Sequence, residues 1–157
     1  MDKVILVGGG TGGHCIPMVS MYKKFSKLNI KCQVITDSRG SVFFKGICKS
    51  DVIIVRTPTK FITKIEQLIN FPIIFLQTIF TMMNSQSIHI IGFGGYFTLP
   101  VLFSAKITNK NISVHEANAV MGKANRILSR YVKNIFLTFN ETKMINEKTN
   151  VRTLFLK

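Results

Sequence analysis

The chain opens on a short apolar run, residues 3–7 (KVILV), that breaks at once into Gly8-Gly9-Gly10-Thr11-Gly12-Gly13-His14. A β-branched run this short reads as a buried strand. Residues 17–28 follow with apolar side chains at Met18, Val19, Met21, Tyr22, Phe25 and Leu28, a helical spacing. Strand, glycine turn and helix in immediate succession restrict the start of the chain to a βα unit. Five glycines in the six positions 8–13 also mean that something approaches the backbone closely there.

The same alternation continues. Residues 31–36 (KCQVIT), 51–55 (DVIIV), 87–91 (SIHII), 112–115 (ISVH), 134–138 (NIFLT) and 151–156 (VRTLFL) read as further strands, with helical patterns in most of the gaps. Strands alternating with helices predict an α/β fold, a Rossmann-like parallel sheet with helices on both faces. Ligands of such sheets sit at the carboxyl ends of the strands. The glycine turn, a second cluster Gly92-Phe93-Gly94-Gly95, His14 and His115 all fall there in this reading.

With 157 residues, 46% hydrophobic and 18% charged, the chain suits one folded domain and excludes a disordered or coiled-coil protein. Its 21 Lys and Arg against 7 Asp and Glu give a net charge of +14, which favours anionic partners. The abundance of Lys, Asn, Ile and Phe fits an AT-rich coding sequence equally well. The aromatic and arginine-rich signature of an RNA-binding surface is missing, so nucleic acid is not the expected partner. Cys15, Cys32 and Cys48 are odd in number and widely spaced, as free thiols in a reducing compartment would be. No signal peptide, carboxylate cluster or metal-ligand spacing is evident, and neither a metal nor a cofactor is expected.

Gly8, Gly10 and Gly13 satisfy GxGxxG between a strand and a helix. The helix start offers unpaired N–H groups and the positive end of a dipole to an anion. Asp37 stands where a dinucleotide-binding domain places its ribose acid, so an oxidoreductase is one reading; a tight turn without ligand is another. His14 is foreign to a dinucleotide site. Beside a helix start its pKa falls, which suits a general base on a hydroxyl next to a diphosphate. It could equally cap or pack the turn.

The stretch Gly8-Gly9-Gly10-Thr11-Gly12-Gly13-His14-Cys15-Ile16-Pro17 resembles the N-terminal signature of the MurG glycosyltransferase family. Gly92-Phe93-Gly94-Gly95-Tyr96, with Pro100-Val101 and Ala105-Lys106, resembles its second glycine loop. A third match runs from Val114-His115-Glu116-Ala117-Asn118 through Gly122 to Ala124-Asn125-Arg126. The resemblance implies the N-terminal half of a GT-B enzyme over residues 1–157, carrying the acceptor and membrane side. It further implies transfer of N-acetylglucosamine from UDP-GlcNAc to lipid I, giving lipid II, at the cytoplasmic face of the bacterial inner membrane. By that resemblance His14 is the general base. Thr11, Gly12, Gly13 and Asn118 touch UDP-GlcNAc, while Gly10, Gly94, Gly95, Tyr96 and Glu116 belong to the acceptor and diphosphate loops. Ala117 departs from the family's usual Gln. The donor domain would lie outside these residues, so a separate C-terminal-domain chain is an expected partner if the sequence is a functional half. A non-catalytic lipid-diphosphate or membrane-binding module is the alternative.

Residues 71–83 (FPIIFLQTIFTMM) form the most apolar segment, and no Asp, Glu, Lys or Arg occurs between Glu66 and Lys106. Thirteen residues are too few to span a bilayer, which takes about 20. A core helix is the plain reading. The other is a helix with one face on the sheet and one on an anionic membrane surface, using Ile79 and Phe80 with Lys60 and Lys64 at the rim. The resemblance implies the second.

Overall fold

The computed structural model of the chain describes residues 3–58, 63–144 and 152–155. Seven strands form one sheet: β1 Lys3–Val7, β2 Cys32–Asp37, β3 Val52–Val55, β4 Ser87–Gly92, β5 Asn111–Glu116, β6 Asn134–Leu137 and β7 Arg152–Phe155. They lie in the order β3-β2-β1-β4-β5-β6-β7, and every neighbouring pair is parallel. The helices are α1 Gly12–Lys27, α2 Lys64–Met83, α3 Thr98–Ile107 and α4 Lys123–Leu128. All seven expected strands are present within a residue or two of the sequence reading. Residues 151 and 156, the ends of the last expected strand, lie outside the described residues.

Side chains alternate across a strand. In β1, Ile5 and Val7 join Ile74 and Met82 of α2 and Val101 and Leu102 of α3 on one face. Leu6 points the other way, with Val34, and meets Cys15 and Met18 of α1. Both faces are therefore covered, which is why these strands are apolar throughout rather than alternating. Strand order reverses between β1 and β4, and the crevice at such a switch point is where α/β sheets take ligands.

Two helices begin earlier than their apolar patterns suggest. Helix α1 starts at Gly12, inside the glycine turn, with Thr11 as its N-cap. Helix α2 starts at Lys64, because Thr63 and Glu66 close a reciprocal capping box: Glu66 N donates to Thr63 Oγ1 at 3.1 Å and Thr63 N to Glu66 Oε2 at 2.8 Å. At 20 residues α2 is long and apolar enough to cross a membrane, so the expectation that this segment is too short does not stand. Its connectivity answers the question instead. Helix α2 joins two parallel strands of one sheet and must run back over that sheet. Asn70, Ile74, Thr78 and Met82 form its buried stripe at four-residue spacing. Thr78 Oγ1 and Ser104 Oγ share a buried hydrogen bond of 3.0 Å between α2 and α3.

Candidate active site

The glycine turn after β1 and the second glycine cluster after β4 meet at the switch point. Their strands are registered there, with Gly8 N donating to the Ile35 carbonyl and Phe93 N to the Val7 carbonyl at 3.1 and 2.8 Å. Asp37, at the end of β2, is fully buried beneath the first turn. Its Oδ1 accepts from Gly10 N at 2.9 Å and Gly40 N at 2.8 Å. Its Oδ2 accepts from Arg39 Nε and Nη2 at 3.0 and 2.8 Å. A Cβ on Gly9 would stand 2.8 Å from Asp37 Oδ1, so the carboxylate and the turn fit only with glycine there. Asp37 spends its acceptors inside the protein and presents no oxygen to a ribose, which removes the residue on which a dinucleotide reading rests.

His14, in the first turn of α1, lies against the second cluster. A Cβ on Gly94 would meet its ring at 3.2 Å and one on Gly95 at 3.3 Å. Both glycines also hold positive φ, +87° and +81°, a conformation that a side chain would strain. The two glycine clusters thus clasp one imidazole. Thr11 Oγ1 lies 3.2 Å from His14 Nδ1. Burial pushes the His14 imidazole below the ordinary histidine value, against the pull of a hydrogen bond to the Gly9 backbone and of the Glu116 charge. A neutral ring can accept a proton near neutral pH.

A cavity of about 260 Å³ opens on one side of His14, walled by Gly94, Tyr96, Glu116, Asn118 and Asn125 among others. A smaller one of about 150 Å³ lies on the other, walled by Gly10, Thr11, Arg39 and Tyr96. Glu116 ends β5 and is 2% exposed. It accepts from Asn118 N and Nδ2, Gly122 N and Asn125 Nδ2 at 2.8–3.0 Å. It braces the loop from Ala117 to Gly122 just as Asp37 braces the first turn. Asn125 Oδ1 and His115 Nδ1 are buried polar atoms without a hydrogen-bond partner among the described residues. His115 lies beneath the site, its ring centroid 5.0 Å from that of Phe93. Burial pushes the Cys15 and Cys32 thiols up to about 11 and about 12, which excludes them as nucleophiles near neutral pH.

His14, Thr11, Gly10, Gly94, Gly95, Tyr96, Glu116 and Asn118 therefore converge on two adjoining cavities. Gly12 and Gly13 stand at the start of α1 beside them. Arg39 and Lys123 complete the walls without having been singled out in the sequence, and Asn125, quoted there in the third match, joins them. The signal that could have found Arg39 is a cation two residues after Asp37, at the close of the second strand.

The membrane-facing expectation divides. Phe80 is 66% exposed and Lys64 is exposed, whereas Ile79 is half-buried. Lys60 lies outside the described residues. Leu68 and Leu76, 75% and 58% exposed, extend the outward apolar face with Ile65, Ile69 and Met83.

The glycosyltransferase family 28 N-terminal domain matches residues 4–137. The chain belongs to that family. Its curated relatives include the UDP-N-acetylglucosamine–N-acetylmuramyl-(pentapeptide) pyrophosphoryl-undecaprenol N-acetylglucosamine transferases of Bdellovibrio bacteriovorus and Rhodopseudomonas palustris. The first is 33% identical, with 90% of this chain matching 42% of the relative. The second is 36% identical, with 84% of this chain matching 37% of the relative. The chain thus spans about two fifths of the length of the curated relatives it matches. Among solved structures, Acinetobacter baumannii MurG shares the fold with a TM-score of 0.76 at 21% identity, covering 95% of this chain and 44% of the other. The Rossmann-like sheet is that of the N-terminal half of a GT-B glycosyltransferase.

Proposed function

We propose that this chain is the acceptor-side half of an N-acetylglucosaminyltransferase acting on lipid I at the cytoplasmic face of the bacterial inner membrane. The observation that carries the reading is the neutral imidazole of His14, clasped by two glycine turns at the switch point and open to a cavity on either side. Transfer to a sugar hydroxyl needs a base at that oxygen and N–H donors for phosphoryl charge. His14 takes the hydroxyl proton as the oxygen attacks the anomeric carbon of UDP-GlcNAc. The bond from that carbon to the diphosphate breaks with inversion, and UDP departs with the electron pair. Thr11, Gly12, Gly13 and Asn118 face the donor sugar, and Gly10, Gly94, Gly95 and Tyr96 surround the acceptor. Glu116 acts by holding Asn118 and the backbone of its loop. Donor-side residues come from the second half of the transferase, on the same polypeptide or another. The outward face of α2 rests on the anionic bilayer surface, with the net charge of +14 adding attraction.

The test is transfer of labelled N-acetylglucosamine from UDP-GlcNAc to a lipid I analogue by this chain mixed with a family donor domain. His14→Ala should lower the rate by about 10²–10⁴-fold with the fold intact. Activity within a few-fold of the unaltered mixture would remove His14 as the base.

A further inference from the structure

Beside the His14 cavity runs a groove of about 460 Å³, lined by Tyr96, Lys123, Arg126, Ile127, Arg130 and Tyr131. Three of the six are cations, none is an acid, and none of the three forms an ion pair among the described residues. Like charges gathered in one concavity repel unless an anion enters it. The other three are exposed aromatic or apolar side chains. Tyr131 is held from behind, edge-on against Phe103 of α3 with ring centroids 5.2 Å apart. Tyrosine and arginine presented together in this way are the composition of a surface that holds polypeptide, more than of one that holds a bare anion. Tyr96 and Lys123 also wall the His14 cavity, so the two spaces adjoin. Phosphoryl charge already has donors in the glycine turns and the start of α1, which leaves the groove to another part of the acceptor.

The substituents of the acceptor sugar identify that part. A muramyl ring with pyrophosphate on C1, an acetamido group on C2 and a lactyl-linked peptide on C3 has one free secondary hydroxyl, on C4. That hydroxyl is the neighbour of the peptide and lies across the ring from the pyrophosphate. With the C4 hydroxyl at His14, the peptide leaves the ring in the space beside His14. We infer that the groove binds the carboxylates of this acceptor peptide, with Arg126 and Arg130 as the principal contacts and Ile127 and Tyr131 as the apolar wall. The inference rests on the acceptor reading above and deepens it to the peptide. Arg126 and Arg130 stand four residues apart, on successive turns of one helical surface. Their planar forks meet carboxylate oxygens in pairs, which an ammonium group cannot do.

The test is calorimetric titration of the chain with two soluble, short-lipid analogues of lipid I. In one the peptide carboxylates are free; in the other all are carboxamides, and the two share everything else, the pyrophosphate included. The unaltered chain should bind the free-carboxylate analogue about tenfold or more tightly. Arg126→Gln with Arg130→Gln should bring the two affinities together, with binding of the carboxamide analogue held within about twofold as the control for folding. Arg126→Lys with Arg130→Lys, which keeps the charge, should retain only part of the preference. An unaltered chain that binds both analogues equally would overturn the assignment, as would a glutamine variant that keeps the full preference. Parallel weakening of both analogues in that variant would overturn it too, because the groove would then hold a part of the acceptor that both share. Binding of neither analogue would remove the acceptor reading itself, so the two failures are distinguishable.

Discussion

The buried carboxylates show how much of this site depends on single residues. Asp37 is wholly buried and receives two backbone N–H groups and a guanidinium. Asp37→Asn removes the charge that Arg39 and the turn are arranged around. It should cost about 3 kcal/mol or more, read as a lowered denaturation midpoint with unchanged slope. His14 and His115 are both shifted below the ordinary histidine value, chiefly by burial. The unfolded chain therefore binds protons more readily than the folded one, and stability rises with pH. Their contribution is complete above the unfolded value of about 6.5 and is lost as pH falls toward the folded values. Thermal melts should show Tm falling from pH 7.5 to pH 5, and His115→Gln should flatten that slope. His14 was legible from its position after the glycines. The bracing roles of Asp37 and Glu116 were not, because each depends on contacts that only the fold creates, such as that between Asp37 and Gly10.

Among the elements, α2 has the most divided role. Ile74 is fully buried against the sheet, while Phe80, less than two turns on, is 66% exposed. Ile74→Ala should destabilise by about 2–5 kcal/mol through the cavity it leaves. Leu76→Asp with Phe80→Asp should leave the melting temperature within a few degrees and release the chain from anionic vesicles. Unfolding by the second pair would instead mean that this face is packed in the protein. The sequence showed an apolar segment but not its division, since both faces carry the same residue types. The start of α2 was hidden because its first turn is polar and rests on the Thr63–Glu66 capping box rather than on apolar spacing. Strands were the easiest elements to read: burial on both faces turns each into a short run of Val, Ile and Leu.

For the molecule as a whole, parallel strand order decides what the separate motifs can do together. Glycine clusters more than eighty residues apart become one site because β1 and β4 are neighbours. The sequence located both clusters at strand ends, but only the pairing places Gly94 and Gly95 against the ring of His14. Another sizeable cavity, about 420 Å³ around Tyr22, Lys31 and Asp51, lies at the amino ends of the strands, away from this chemistry. That contrast supplies the most direct measurement: titration of the isotope-labelled chain with a soluble lipid I analogue, followed through its backbone amide resonances. Saturable shifts centred on Gly10, Gly13, Gly94, Gly95, Tyr96 and Asn118 are the predicted result. Shifts centred on Tyr22 and Asp51, or none at these glycines, would contradict an acceptor site at the carboxyl edge of the sheet.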